Sequence, residues 1–278
     1  MSTRLVLALI AGTALFAQEP AKDAAAAPKA PATDTRPDRL GELERLGENG
    51  RELMILGIDA PGFDKLKRTQ RLYAYYLYRA AIAGNDIMYL QSHRFAWDIK
   101  DLFETLYEHR TKLDPAAAAG IEEYLKLVWA NHGQYLHWQH TKFVPRNLSF
   151  KQLQQAVKAA KKDGAKFQTR KGESLEQALL RLKPHIFDPK TEPLQVNQAP
   201  GADVIATSAN GFYDPGVKLA DIQAFPKEIQ EKLNVRFALK RDKRGHRVVE
   251  PETFMIGGAY GEQLANVAFW LKRALQYV

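Results

Sequence analysis

The sequence predicts an α+β fold that is mainly helical, with a few antiparallel strands late in the chain. Three observations predict it. Segments between residues 71 and 184 carry apolar residues at helical spacing, and several open on capping signals. Past Pro193 the pattern changes to short runs punctuated by Pro, Gly and Asn. Finally, 278 residues that are 45% apolar and 26% charged can bury a core, and the chain does so without any cysteine. The missing cysteines exclude disulfide frameworks, thiolate zinc sites, iron–sulfur clusters and cysteine nucleophiles. Forty Lys and Arg against 32 Asp and Glu give a net charge of +8. That excess is spread along the chain, so it permits anionic contacts without demanding them.

Residues 1–17 read as a secretory signal, with Arg4 as the basic start and Leu5 to Ala17 as an uncharged core. As a helix that core rises about 20 Å, too little for a hydrocarbon layer of ~30 Å. Cleavage is expected after Ala17. The mature protein is then expected to be periplasmic or secreted, with no stable membrane anchor. Residues 18–39 alternate Ala and Pro with scattered charges and read as an extended linker. The folded part is expected over 40–278.

The first long helix is expected over Arg71–Gln91. Its stripe runs through Tyr73, Leu77, Ala80, Gly84, Ile87 and Gln91, and its small residues would let another element approach closely. Ile99, Leu102, Phe103 and Leu106 mark a second helix. Asp114–Pro115 is a cap followed by proline at the first helical position, opening a third. Its stripe is expected to continue through His132 and Tyr135, with His137 and His140 near the helix end. Ser149 with Gln152, and Ser174 with Gln177, are capping boxes that open two more. Gly164 is expected to end the first of these and Pro184 the second. Val204 to Ala206 reads as a strand between loops. Val235 to Leu239 and His246 to Val249 read as a hairpin around a charged turn. Tyr260, Leu264, Val267, Leu271 and Leu275 mark the last helix, which reaches Val278 with no Gly cap, Pro or polar tail. We read that ending as a cut in something longer.

Several catalytic motifs are missing from the sequence. There is no His-Glu-x-x-His, no phosphate loop, no dinucleotide fingerprint and no Gly-x-Ser-x-Gly elbow. His137 and His140 have no acidic ligand near them in sequence, so they read as hydrogen-bonded or solvated imidazoles rather than a metal pair. The Lys158 to Lys171 cluster reads as a solvated helix end, not a nucleic-acid surface. The aromatic group of the long helices reads as core. Trp138 is the exception, because it runs into a Gln-His-Thr-Lys segment and is expected near a surface or cleft.

Two segments together resemble the dipeptidyl peptidase III family of zinc-dependent exopeptidases. They are RLYAYYLYRAAIAGNDIMYLQ (71–91) and NHGQYLHWQHTKFVP (131–145). TSANGFYDPGV (207–217) resembles the family's Ser-x-Asn loop. The resemblance spans about residues 50 to 278. It implies a two-lobed peptidase that releases dipeptides from the amino end of short peptides. This chain would be the amino-terminal, mixed lobe, carrying part of a small β-barrel. It also implies a substrate-binding role for Trp138, as an aromatic wall of the pocket, and for Asn210. The family's His-Glu-x-x-Gly-His motif is absent. The resemblance therefore implies zinc in a full-length member, no metal-binding or catalytic residue here, and no turnover by this chain alone. Expected partners are short peptides and the missing carboxyl-terminal lobe, with no nucleic acid. The alternative reading is a complete, non-catalytic peptide-binding module.

Overall fold

In the computed structural model the described residues are 44–46, 53–55, 60 and 62–278; the expected signal (1–17) and linker (18–39) lie outside them. The chain divides into two compact units, Met1–Lys65 and Leu66–Val278. In the first, strand β1 (Glu44–Leu46) pairs antiparallel with β2 (Leu53–Ile55), Glu44 opposite Ile55.

The second unit opens with α1 (Arg68–Ser92), followed by α2 (Ala96–Glu108), α3 (Pro115–Asn131), α4 (Phe150–Lys162) and α5 (Leu175–Phe187). The expected caps form. The Asp114 carboxylate accepts from the Ala117 amide at 3.0 Å. Ser149 and Ser174 close reciprocal boxes with Gln152 and Gln177. The predicted stripe of α2 is fully used: Ile99, Leu102, Phe103 and Leu106 are all buried, packed with Ile121, Leu125 and Val128 of α3. Leu153 and Val157 of α4 and Leu179, Leu182 and Ile186 of α5 complete this main core.

Helix α1 behaves differently. Of its predicted stripe only Ala80 is buried, while Tyr73 and Leu77 are exposed. Its partner is the last helix, α8 (Gly261–Ala274), which packs along it. The small residues do admit a close neighbour. A Cβ on Gly84 would lie 3.5 Å from Val267. Tyr76 stacks on Trp270 and Tyr277, and the Arg79 guanidinium covers the Trp270 ring at 4.2 Å.

Strands β3 (Val235–Arg241) and β4 (Arg247–Thr253) form the expected hairpin, longer than predicted, as an open two-stranded sheet. Pro251 of β4 faces Phe237. Phe237 instead bonds outward, its amide to the Phe212 carbonyl and its carbonyl to the Asp214 amide, so proline costs no ladder bond there. A second core gathers Ile205, Val217, Ile222, Val235 and Phe237. Two short helices, α6 (Leu219–Gln223) and α7 (Lys227–Gln230), had no sequence prediction.

Three expectations are corrected. Val204–Ala206 is a turn, not a strand, because the Asp203 carboxylate captures the Ile205 and Ala206 amides at 3.0 and 2.9 Å. Pro184 does not stop α5. It lies inside the last turn, and the Asp188 amide still bonds the Pro184 carbonyl at 3.2 Å. Finally, α3 ends at Asn131, so Tyr135, His137 and His140 are not helical. His132 takes the left-handed conformation (φ 53°), and both its amide and that of Gly133 return to the Val128 carbonyl.

Candidate functional site

The carboxyl end of α1 is a junction onto which three loops converge. The first follows α3. Gly133 (φ 147°) lies so close to Ser92 that a Cβ would overlap the Ser92 hydroxyl. The second is the 208–212 loop. The Gly211 amide bonds the Gln91 carbonyl at 2.8 Å, and a Cβ on Gly211 would collide with the Leu90 carbonyl. The third follows α5: the Gln195 side-chain amide donates to the Ser92 hydroxyl at 3.1 Å and to its carbonyl at 3.3 Å. The segments 71–91, 131–145 and 207–217, remote in sequence, thus meet at one place.

Glu192 ties this junction together. One carboxylate oxygen lies 2.8 Å from His93 Nε2 and 2.8 Å from His185 Nδ1, and the other pairs with Arg94. Its backbone carbonyl accepts the Tyr135 hydroxyl at 2.8 Å. The His185 nitrogen is close but poorly aligned with any acceptor, so we count it as an electrostatic contact rather than a directed hydrogen bond. Glu192 holds a left-handed backbone (φ 50°), an unfavourable conformation that its partners impose. Burial alone would raise its pKa. The contacts from His185 and His93 and the charge of Arg94 outweigh this and hold the carboxylate well below its usual range. Burial pushes His93 down to about 4, against the pull of Glu192. Beside them, Lys142 donates to the Thr191 and Pro184 carbonyls, and burial lowers it to about 8.

His93, His185 and Glu192 present three potential metal ligands within 4.8 Å of one another. The hydrogen bonds behind His93 decide against that use. The Phe95 backbone amide, which can only donate, points at His93 Nδ1 at 3.1 Å, and the Gln134 amide nitrogen lies 2.8 Å from the same atom. Nδ1 must accept, so the ring proton sits on Nε2 and is given to Glu192. A metal-bound imidazole needs the opposite polarity, with its far nitrogen donating. The Arg94 charge beside the carboxylate adds repulsion for a cation. The group fits a hydrogen-bonded clasp and does not fit a metal centre.

Of the sequence-predicted candidates, Trp138 lies on the loop that Tyr135 ties to this clasp, and Asn210 lies on the 208–212 loop seated on Gln91. Trp138 is 65% exposed, with the His137 ring edge-on at 5.4 Å. Its loop is closed by Leu136 and His140: the Leu136 amide bonds the Thr141 carbonyl and the His140 amide bonds the Leu136 carbonyl. Asn210 is half-buried. Its side-chain oxygen accepts from the Phe212 amide at 3.1 Å, and its nitrogen reaches the Gln195 carbonyl at 3.4 Å. Both loops are therefore anchored on Gln195. His137 and His140 are not brought together as a pair, since His140 Nδ1 bonds the Gln195 side chain at 3.1 Å and His137 packs on Trp138. His93, His185, Glu192 and Gln195 carried no signal in the sequence. His93 is remote in sequence from the other three and the set matches no ligand spacing, so only the fold assembles them.

No protein-family model and no curated protein matches the chain.

Proposed function

We propose that this chain is the peptide-binding, amino-terminal part of an exported zinc-dependent dipeptidyl peptidase, with no hydrolytic activity of its own. The observation that carries the reading is the convergence of the three resembling segments on the end of α1, which sets an exposed indole at 138 on a rigidly anchored loop. An exposed aromatic on a fixed loop can cover an apolar side chain of a short peptide while the peptide backbone bonds elsewhere. Asn210 would supply polar contact from the neighbouring loop. The β3–β4 hairpin would be the part of a small barrel that this chain contributes. In this reading zinc and the proton-transferring carboxylate belong to a further lobe.

A specific observation favours this over a finished binding module. The α1–α8 pair and the turn after it leave Ile82, Phe269, Leu271 and Leu275 at least 42% exposed, and Met255 and Ile256, which adjoin Gly261 at the start of α8, are more than half exposed. Such a face suits coverage by further polypeptide.

The test pairs two assays on the purified chain. Calorimetric titration with short unblocked peptides should give saturable binding that Trp138→Ala weakens. A chromogenic dipeptide substrate should release nothing, with or without added zinc. Chelator-sensitive turnover would overturn the non-catalytic part, and absence of any peptide binding would overturn the whole reading.

A further inference from the structure

Gln195 stands between the two loops that carry the peptide-binding candidates, and every polar group it owns is committed to them or to the helix end beneath. The Ser92 carbonyl can only accept, so the Gln195 amide nitrogen must face it. This turns the amide oxygen toward His140 and makes His140 Nδ1 the donor across 3.1 Å. The Gln195 backbone amide donates to the His140 carbonyl at 2.8 Å, a second bond to the same residue. Its carbonyl receives the Ala209 and Asn210 amides, each at 3.2 Å, and the Asn210 side chain. His140 is itself held left-handed, with φ 54°. It therefore depends on outside partners to keep a conformation that an isolated turn would leave.

We infer that Gln195 is a positioning residue that fixes the Trp138 loop against the Asn210 loop by gripping His140, and so sets the geometry in which a short peptide is held. This rests on the peptide-binding reading above. Gln195 touches no peptide in this account; it acts through His140.

The test uses the full chain, the tetrapeptide Ala-Phe-Ala-Gly as probe, and amide hydrogen exchange without peptide. Gln195→Leu removes the bond to His140 and both bonds to Ser92, and should speed exchange of the Leu136 and His140 amides by about tenfold or more. Amides in α2 and α3 should be unchanged. Peptide affinity should fall by a similar factor. Gln195→Glu keeps an acceptor toward His140 but sets its second oxygen against the Ser92 carbonyl, so it should restore part of the protection that Gln195→Leu loses. His140→Ala removes the shared His140–Gln195 bond alone and should speed exchange of the Leu136 amide in the same direction, and the double variant should be no worse than Gln195→Leu. If Gln195→Leu does not fold, His140→Ala carries the same test from the loop side. Unchanged exchange at Leu136 and His140, or fully additive losses in the double variant, would overturn the inference. If the unmutated chain binds no peptide, the underlying reading fails and takes this one with it. If it binds, and Gln195→Leu binds equally well, only the role of Gln195 falls.

Discussion

At the residue scale, burial and partner polarity decide what each group can do. His93 is buried and neutral, with its proton on Nε2 by virtue of the Phe95 amide behind it. Its folded pKa of about 4 lies below the ordinary 6.5. The unfolded chain therefore binds the extra proton more readily between pH 4 and 6.5, and stability rises with pH across that window. The Glu192 carboxylate is depressed, so its contribution is present above its unfolded pKa and is lost as pH falls further. Both act in the same direction. The unfolding free energy from urea titrations should therefore fall steadily from pH 6.5 to 4, with His93 contributing on the order of 2 kcal/mol. His93→Gln should flatten that slope, whereas an unchanged slope would show that His93 is not the titrating group. The same tautomer predicts that zinc will not raise the melting temperature. Trp138→Ala, at an exposed site, should change stability by no more than about 0.5 kcal/mol. A severe loss would mean that Trp138 packs as core.

At the scale of elements, much of the fold was legible. The caps at Asp114, Ser149 and Ser174 are short-range devices whose partners lie three residues on, so sequence spacing alone reveals them. Ser149→Ala should cost about 1 kcal/mol by loss of its cap, measurable as a lowered urea midpoint. Other elements were decided by groups with no periodic signature. Asp203 turned an apolar triplet into a turn, and its reach to the Leu219 amide, 16 residues away, was beyond local pattern. The left-handed His132–Gly133 end shortened α3 because Gly133 must press on Ser92, a contact between distant segments. Close approach makes Gly211 the most sensitive glycine of the junction. Gly211→Ala should destabilise by ~1–3 kcal/mol, because backbone rather than a flexible side chain blocks the new methyl. A variant as stable as the parent would show that the 208–212 loop is not seated on α1.

At the scale of the whole molecule, the described residues divide their apolar surface unevenly. Helices α2 to α5 bury their stripes in a shared core that Tyr89 of α1 also enters, while the rest of α1 packs on α8 and the pair leaves several large apolar side chains exposed. The sequence showed that α1 and α8 are amphipathic, but periodicity cannot say whether a stripe faces a core or a single neighbour. Dye that fluoresces on apolar surfaces should bind the folded chain, and Phe269→Ser with Leu275→Ser should reduce that binding without lowering the melting temperature. Equal binding by the double variant would place the exposed surface elsewhere. The candidate site was legible only in part: Trp138 and Asn210 could be named through the resemblance, but neither the Glu192 clasp nor Gln195, which bonds both loops, could.

The central claim is that three separated segments build one mount for a short peptide. Hydrogen exchange with and without saturating tetrapeptide tests it most directly. The account predicts joint protection of amides in 136–142 and 208–212, with the helices of the main core unchanged. Protection confined to one of these loops, or appearing only on α1 and α8, would contradict it.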